Sequence, residues 1–297
     1  RKNTFLFAKD LEEIMINAQK EAYGDGLDPD TLHPYMWCCK SHYFSAGLSY
    51  YNFPYAFGGL FSRGLYAKYL EEGESFLPKY RALLKDSLDQ IFAQKYDNMK
   101  DCIESKVFGI GLESYTVGSN DFYIGYAAQN NKIVTLDTGH FHPTESVADK
   151  VSSLLLYVPE LMLHVTRAVR WDSDHVTTLN DETIELCREI VRCDALDKVH
   201  FGLDFFDGSI NRIGAYVIGS RAAQKAMLQA LLEPLALLRQ YEAEGKFFQR
   251  LALLEEAKSM PWNAVWDMFC LRNGVPVGEE FIPAIERYER EVLVNRN

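Results

Sequence analysis

The chain has 297 residues, a formal net charge of −11, and 47% apolar against 25% charged residues. That balance belongs to a soluble globular protein. The negative charge disfavours any role built on neutralising nucleic-acid phosphates. No run of about 18 uncharged apolar residues marks a membrane-spanning helix.

The first residue is Arg1, with no signal-peptide pattern after it, so the N-terminus reads as cut from something longer. From there the chain is helical and aromatic. FLFAKDLEEIMINAQKEAYG has helical spacing, with Gly24 as its C-cap. The aromatic segment CCKSHYFSAGLSYYNFPYAFGGLFSRGLYAKYLEEG regains helical periodicity in its second half and stops at Gly73. The six cysteines, at 38, 39, 102, 187, 193 and 270, show no framework spacing and no C-x-x-C pair. They suit reduced thiols in the cytoplasm. The adjacent Cys38 and Cys39 read as small buried apolar residues.

From about Ser87 the texture alternates. Helical patterns (SLDQIFAQKYDNMK, TESVADKVSSLLLYV, DETIELCREIVRC, AAQKAMLQALLEPLALLRQYEAEG) sit between the short β-rich runs VFGIG, KIVTLD, LMLHV and VHFGLDFF. Such alternation predicts βα units on a parallel sheet. A helical tail runs from Phe247 to the C-terminus, interrupted at NGVPVGEE.

Acidic or imidazole side chains recur at or near the ends of the apolar runs: Glu104, Asp137, His164 and Asp204, separated by 33, 27 and 40 residues. A (β/α)8 barrel spends roughly 30 residues per unit and gathers strand-end side chains at its C-terminal mouth. Three carboxylates and an imidazole form a donor set for Mn²⁺ or Mg²⁺, with Co²⁺ and Zn²⁺ as alternatives. His140, in LDTGHFHPTE, and Asp172 and Asp174, in RWDSDHV, lie beside that set and would make a second site. A two-metal centre can polarise a carbonyl and its adjacent hydroxyl together. Taken singly, an aspartate at a strand end is more often a turn or cap residue, and a lone strand histidine more often a hydrogen-bonded core residue. Thr144 reads equally as an N-cap.

At these residues the chain, from about Leu84 onward, resembles the bacterial L-rhamnose isomerase family. The blocks that carry the resemblance are ESKVFGIGLESYTVGSNDFYIGYA, LDTGHFHPTE, YVPELMLHVTRAVRWDSDHV, HFGLDFFDGSINRIGAYVIGSR and RLALLEEAKSMPWNAVWDMFC. The resemblance implies a metal-dependent isomerase on a (β/α)8 barrel, usually with Mn²⁺, that interconverts L-rhamnose and L-rhamnulose. It implies that Glu104, Asp137, His164 and Asp204 hold a structural metal. His140, Asp172 and Asp174 would hold the catalytic one, and Lys106 would reach the sugar oxygens. Hydrogen would pass between C1 and C2 as hydride or as a proton, which the residues do not distinguish. His142 and Glu145 receive no chemical role, only helix-start and packing roles. A homo-oligomer follows the family's tendency.

Residues 1–83 resemble something else. HPYMWCCKSHYFSAGLSYYNFPYAFGGLFSRGLYAKYLEEGESFLPKY is similar to the C-terminal end of M3-family oligopeptidases, all-helical zinc enzymes. The resemblance would match His42, Tyr43, Tyr51 and Tyr55 to a substrate-contacting segment. H-E-x-x-H, which supplies two zinc ligands and the general base, occurs nowhere in the chain. These aromatics therefore read as packing residues. The expected architecture is a short all-α segment, residues 1–83, followed by residues 84–297 as the C-terminal half of a (β/α)8 barrel with helical tail. The whole reads as chimeric. Its expected function is sugar isomerisation, with a catalytically incomplete fusion or a peptidase remnant as alternatives.

Overall fold

The computed structural model describes residues 7–36, 53–105, 119–142, 144–167, 174–205, 207 and 209–295. They form two compact units, Arg1–Leu83 and Leu84–Asn297.

In the first unit, α1 (Ala8–Tyr23) opens with the Phe7 amide donating to the Asp10 carboxylate at 2.8 Å and closes on Gly24 at φ 55°. Left-handed geometry suits glycine there. The buried Gln19 donates to the carbonyl of His33 at 2.9 Å and accepts from the His33 amide at 3.2 Å, so the segment after α1 folds back onto it. Next comes α2 (Phe53–Glu72), stopped by Gly73 at φ 62°, and then α3 (Phe76–Ala93), which starts in the first unit and ends in the second.

The second unit is α/β. Strands β1 (Cys102–Glu104), β2 (Ile133–Asp137), β3 (Leu161–Val165) and β4 (Val199–Leu203) pair in parallel, in the order β1-β2-β3-β4. Between them run α4 (Asn120–Asn130), α5 (Ala148–Leu154) and α6 (Asp181–Arg192); α7 (Arg212–Leu231) follows β4. This sequential parallel order is that of a partial (β/α) barrel wall. Three of these helices start where the sequence supplies a cap. Ser119 accepts from the Phe122 amide, Asn180 from Thr183 and Asn211 from Gly214.

Parallel register puts alternate residues on opposite faces. Val134, Leu136, Leu161, Leu163 and Val165 face the helices and pack with Val151, Leu154, Leu186 and Ile190. Thr135, Asp137, Met162, His164 and Gly202 share the other face with Glu104. The core thus lies between sheet and helices, and the polar residues occupy the face that a barrel turns inward.

Several elements depart from the sequence pattern. The run VFGIG lies outside the described residues, and the first described strand is the short β1 before it. Helix α3 stops at Ala93 rather than continuing to Lys100, because the chain must reverse, through Asn98 at φ 63°, to enter β1. The segment 222–245, read as one helical pattern, is split into α7 and α8 (Leu235–Ala243) at Pro234, which lacks an amide hydrogen. Glu233 in that break accepts two bonds from the Arg192 guanidinium, at 2.7 and 2.8 Å. Thr144 does not cap α5; its hydroxyl meets His142 Nδ1 at 2.7 Å. Helix α4 was not legible as periodicity, and its one local signal is the Ser119 cap. The tail forms α9 (Phe247–Lys258), α10 (Trp262–Arg272) and α11 (Phe281–Tyr288), with the expected break between the last two. Among the described residues, no helix is long and apolar enough to cross a membrane.

Gly219 on α7 is required by packing. A Cβ there would meet the buried Phe205 ring at 2.7 Å. Overpacking of this kind costs about 1–3 kcal/mol, against a helix-propensity gain of roughly 1 kcal/mol. Gly219→Ala is therefore expected to lower unfolding free energy by up to about 2 kcal/mol in a denaturant titration.

Candidate metal centre

Register builds the site. Asp137, the last residue of β2, pairs with His164 on β3, and His164 pairs with Gly202 on β4. A Cβ at Gly202 would lie 2.8 Å from Met162 Cε and 3.3 Å from the Leu163 carbonyl, so glycine leaves this face room around the imidazole. Glu104 ends β1 two positions short of Asp137, being paired with Thr135. Asp204 follows β4, with its amide donating to the Val165 carbonyl at 3.2 Å.

These positions bring donor atoms together. One ligand atom from each of Glu104, Asp137 and His164 lies within 4.8 Å of the others. His164 Nδ1 is 2.9 Å from Glu104 Oε1 and 3.3 Å from Asp204 Oδ2. All four strand-end residues singled out in the sequence therefore meet at one end of the sheet. The centre is graded in exposure: the Asp137 side chain is 3% exposed and that of Asp204 41%.

The neighbouring set is present in part. His140 Nδ1 donates to the Ser105 carbonyl at 2.8 Å, which places the acceptor lone pair of the neutral ring on Nε2, 3.6 Å from Asp137 Oδ2. Asp174 lies alongside: a Cβ on Gly139 would be 3.2 Å from Asp137 Oδ1 and 3.6 Å from Asp174 Oδ1. Asp172 and Lys106 lie outside the described residues, as do Cys38, Cys39, His42, Tyr43 and Tyr51. Tyr55 falls within α2. His142 and Glu145 serve the local turn, Glu145 pairing with Lys150 at 2.7 Å.

Electrostatics follow from this crowding. Burial pushes the Asp137 carboxyl up to about 6; the His140 charge and the Gly139 amide, which donates to Oδ1 at 2.7 Å, pull it down, while Glu104 and Asp174 push it up. Burial also raises the Glu104 carboxyl, but the His164 hydrogen bond and the charges of His164 and His140 outweigh it, leaving it below its usual value. The hydrogen bond to Glu104 raises the His164 imidazole above its usual value against burial, aided by the charges of Glu104, Asp204 and Asp137. A proton on His164 thus holds converging carboxylates together. A divalent cation can do the same with twice the charge, and the hard oxygen and borderline nitrogen donors suit one.

Metal binding must displace those protons. With Asp137 titrating at about 6, Mn²⁺ affinity is expected to fall about tenfold between pH 7 and pH 5 from this group alone. Competition from the His164 proton makes the fall steeper. Calorimetric titration at pH 5, 6 and 7 checks this; a flat profile would show that Asp137 is not a ligand.

Sequence reading missed the residues that position the candidate ligands. Ser105 acts through its carbonyl, and Thr138, Gly139 and Thr166 through packing and hydroxyl bonds. None carries a side-chain type that signals a metal site.

Acidic and imidazole donors grouped at the C-terminal ends of parallel βα strands define a barrel-type α/β protein with a candidate divalent-metal centre. The L-rhamnose isomerase (RhaA) family matches residues 74–296, and the chain belongs to that family. The L-rhamnose isomerase of Bacteroides thetaiotaomicron is 80% identical over 218 residues, 73% of this chain and 52% of the relative. That of Escherichia coli is 56% identical over 221 residues, 74% of this chain and 52% of the relative. That of Salmonella paratyphi B is 55% identical over 219 residues, with shares of 73% and 52%. The chain spans about half the length of the curated relatives it matches.

Proposed function

We propose that the chain carries the metal-binding part of a cytoplasmic aldose–ketose isomerase that interconverts L-rhamnose and L-rhamnulose, as a homo-oligomer, with Mn²⁺ as cofactor and Co²⁺, Zn²⁺ or Mg²⁺ as substitutes. The supporting observation is the convergence of Glu104, Asp137 and His164 to within 4.8 Å at the strand ends of a chain in this family. In this reading Glu104, Asp137, His164 and Asp204 hold one cation, and His140, Asp172 and Asp174 hold a second. Lys106 reaches the sugar oxygens. When bound, the cations supply Lewis acidity for a carbonyl and its neighbouring hydroxyl. The chain's own residues position the rest: the Ser105 carbonyl orients His140, and Gly139 fixes the Asp137 carboxylate. A ketose assay with L-rhamnose tests the reading. Product formation that requires Mn²⁺ and disappears in His164→Ala supports it, whereas a chain that holds no Mn²⁺ at millimolar concentration refutes it.

We infer in addition that residues 1–83 form a separate helical piece, related to the end of an M3 oligopeptidase and joined as a chimera. Support comes from the division into units at Leu83; the family match itself starts at residue 74, ten residues before the expected junction. A peptidase activity is the weakest reading, since H-E-x-x-H is absent from the chain. Sequencing the coding DNA upstream of Arg1 and across residues 80–90 decides the junction; uninterrupted isomerase coding sequence there removes the chimera.

A further inference from the structure

We propose that Thr138 is a positioning residue that fixes the spacing between the Asp137–His140 turn and the end of β3, through a reciprocal clasp with the backbone of Thr166; this rests on the reading of the cluster as a metal centre. Thr138 stands one residue beyond β2, where its amide still donates to the His164 carbonyl at 2.9 Å. Its hydroxyl then does what a backbone ladder would have done. It donates to the Thr166 carbonyl at 2.8 Å and accepts from the Thr166 amide at 2.9 Å. Both residues are buried, at 6% and 4% exposure, so no water replaces these bonds cheaply.

The clasp lets the main chain leave the sheet while staying tied to β3, and it reaches two segments that carry candidate ligands. Gly139 rests against Thr166, where a Cβ would lie 3.1 Å from Cγ2, and its amide donates to Asp137 Oδ1 at 2.7 Å. His140 begins one residue later, its amide donating to the Asp137 carbonyl at 3.1 Å. On the far side, the Thr166 hydroxyl donates to the His175 carbonyl at 3.0 Å and so holds the segment that carries Asp174. Asp137, His140 and Asp174 are thereby referred to a single buried point, although none of them bonds Thr138 itself. Partners that orient metal ligands in this way typically cost 10–100-fold in metal affinity when removed.

The test is Mn²⁺ affinity of the full chain by calorimetric titration, with circular dichroism to confirm folding. Thr138→Val keeps the shape and removes the hydroxyl; its affinity is expected to drop about 10–100-fold. Thr138→Ser, which restores the hydroxyl, is expected to return within about threefold of wild type. Thr183→Val is the control: its hydroxyl is also buried and donates to Asn180 Oδ1 at 2.7 Å, at the start of α6. It is expected to bind Mn²⁺ within about threefold of wild type. Should Thr138→Val not fold, Thr138→Ala carries the test, since it also lacks the hydroxyl but puts no methyl against the Thr166 carbonyl; a drop of about tenfold is expected. Unchanged affinity in the folded variants, no rescue by serine, or an equal loss in Thr183→Val overturns the positioning role while leaving the metal centre standing. A wild-type chain that holds no Mn²⁺ overturns the centre and the clasp's role together.

Discussion

Replacing Asp137 by asparagine is expected to weaken Mn²⁺ binding by at least about 100-fold and, at the same time, to stabilise the metal-free protein. The first effect follows from losing the most buried carboxylate of the cluster, 3% exposed, for which a neutral amide is a poorer donor. Even outer partners of ligands reach that magnitude. The second follows from linkage. The Asp137 carboxyl titrates at about 6 in the folded protein, above its ordinary 3.8, with burial as the main cause. The fold therefore holds this proton more tightly than the unfolded chain does. Ionising Asp137 costs stability as pH rises from 3.8 toward 6, and the full cost, on the order of 3 kcal/mol, is present above pH 6. Asparagine removes the charge and with it most of that cost. Part of the gain is lost with the favourable contacts to His140 and Gly139, leaving about 1–2 kcal/mol, or a few degrees in Tm. The gain should be visible at pH 7.5 and vanish as pH falls toward 4. A variant that loses both metal affinity and metal-free stability would show that Asp137 is a structural hydrogen-bonding group rather than a ligand held at a cost.

With L-rhamnose and saturating Mn²⁺, the chain by itself is expected to form L-rhamnulose at no more than about a hundredth of the rate of a full-length relative. Among the described residues the sheet has four strands, and the outer donors are open: Glu104 and Asp204 side chains are 34% and 41% exposed. Water can complete the coordination of a cation held there, but the groups that would orient the sugar from the opposite wall are not among these strands. Misplacing a reacting group by about 1 Å can cost about 100-fold. Turnover comparable to a full-length relative would sink this expectation and show that the second unit alone builds a sufficient pocket.

Much of the scaffold was legible because its signals are local. The apolar runs KIVTLD, LMLHV and VHFGLDFF fall on β2, β3 and β4, and Gly24 and Gly73 stop helices at positive φ where their sequence position suggests it. Failures were local too. Pro234 divides a stretch whose periodicity continues across it, and α4 has apolar residues on too many sides to show a stripe. The four strand-end donors could be proposed from their spacing, because one βα unit returns the chain to the same end of the sheet after roughly 30 residues.

By itself, then, the sequence determined the order of β2, β3 and β4 with the helices between them, and the placing of a donor at or near the end of each of these strands. These depend on side-chain alternation and capping, which act over a few residues. Only the tertiary structure decided that Asp137 stands opposite His164, that the Ser105 carbonyl, 35 positions away, directs His140, and that Thr138 is bound to Thr166 across 28 positions. Ladder register between strands sets those distances, and register arises from the packing of the whole sheet against its helices. No short stretch of chain contains that information.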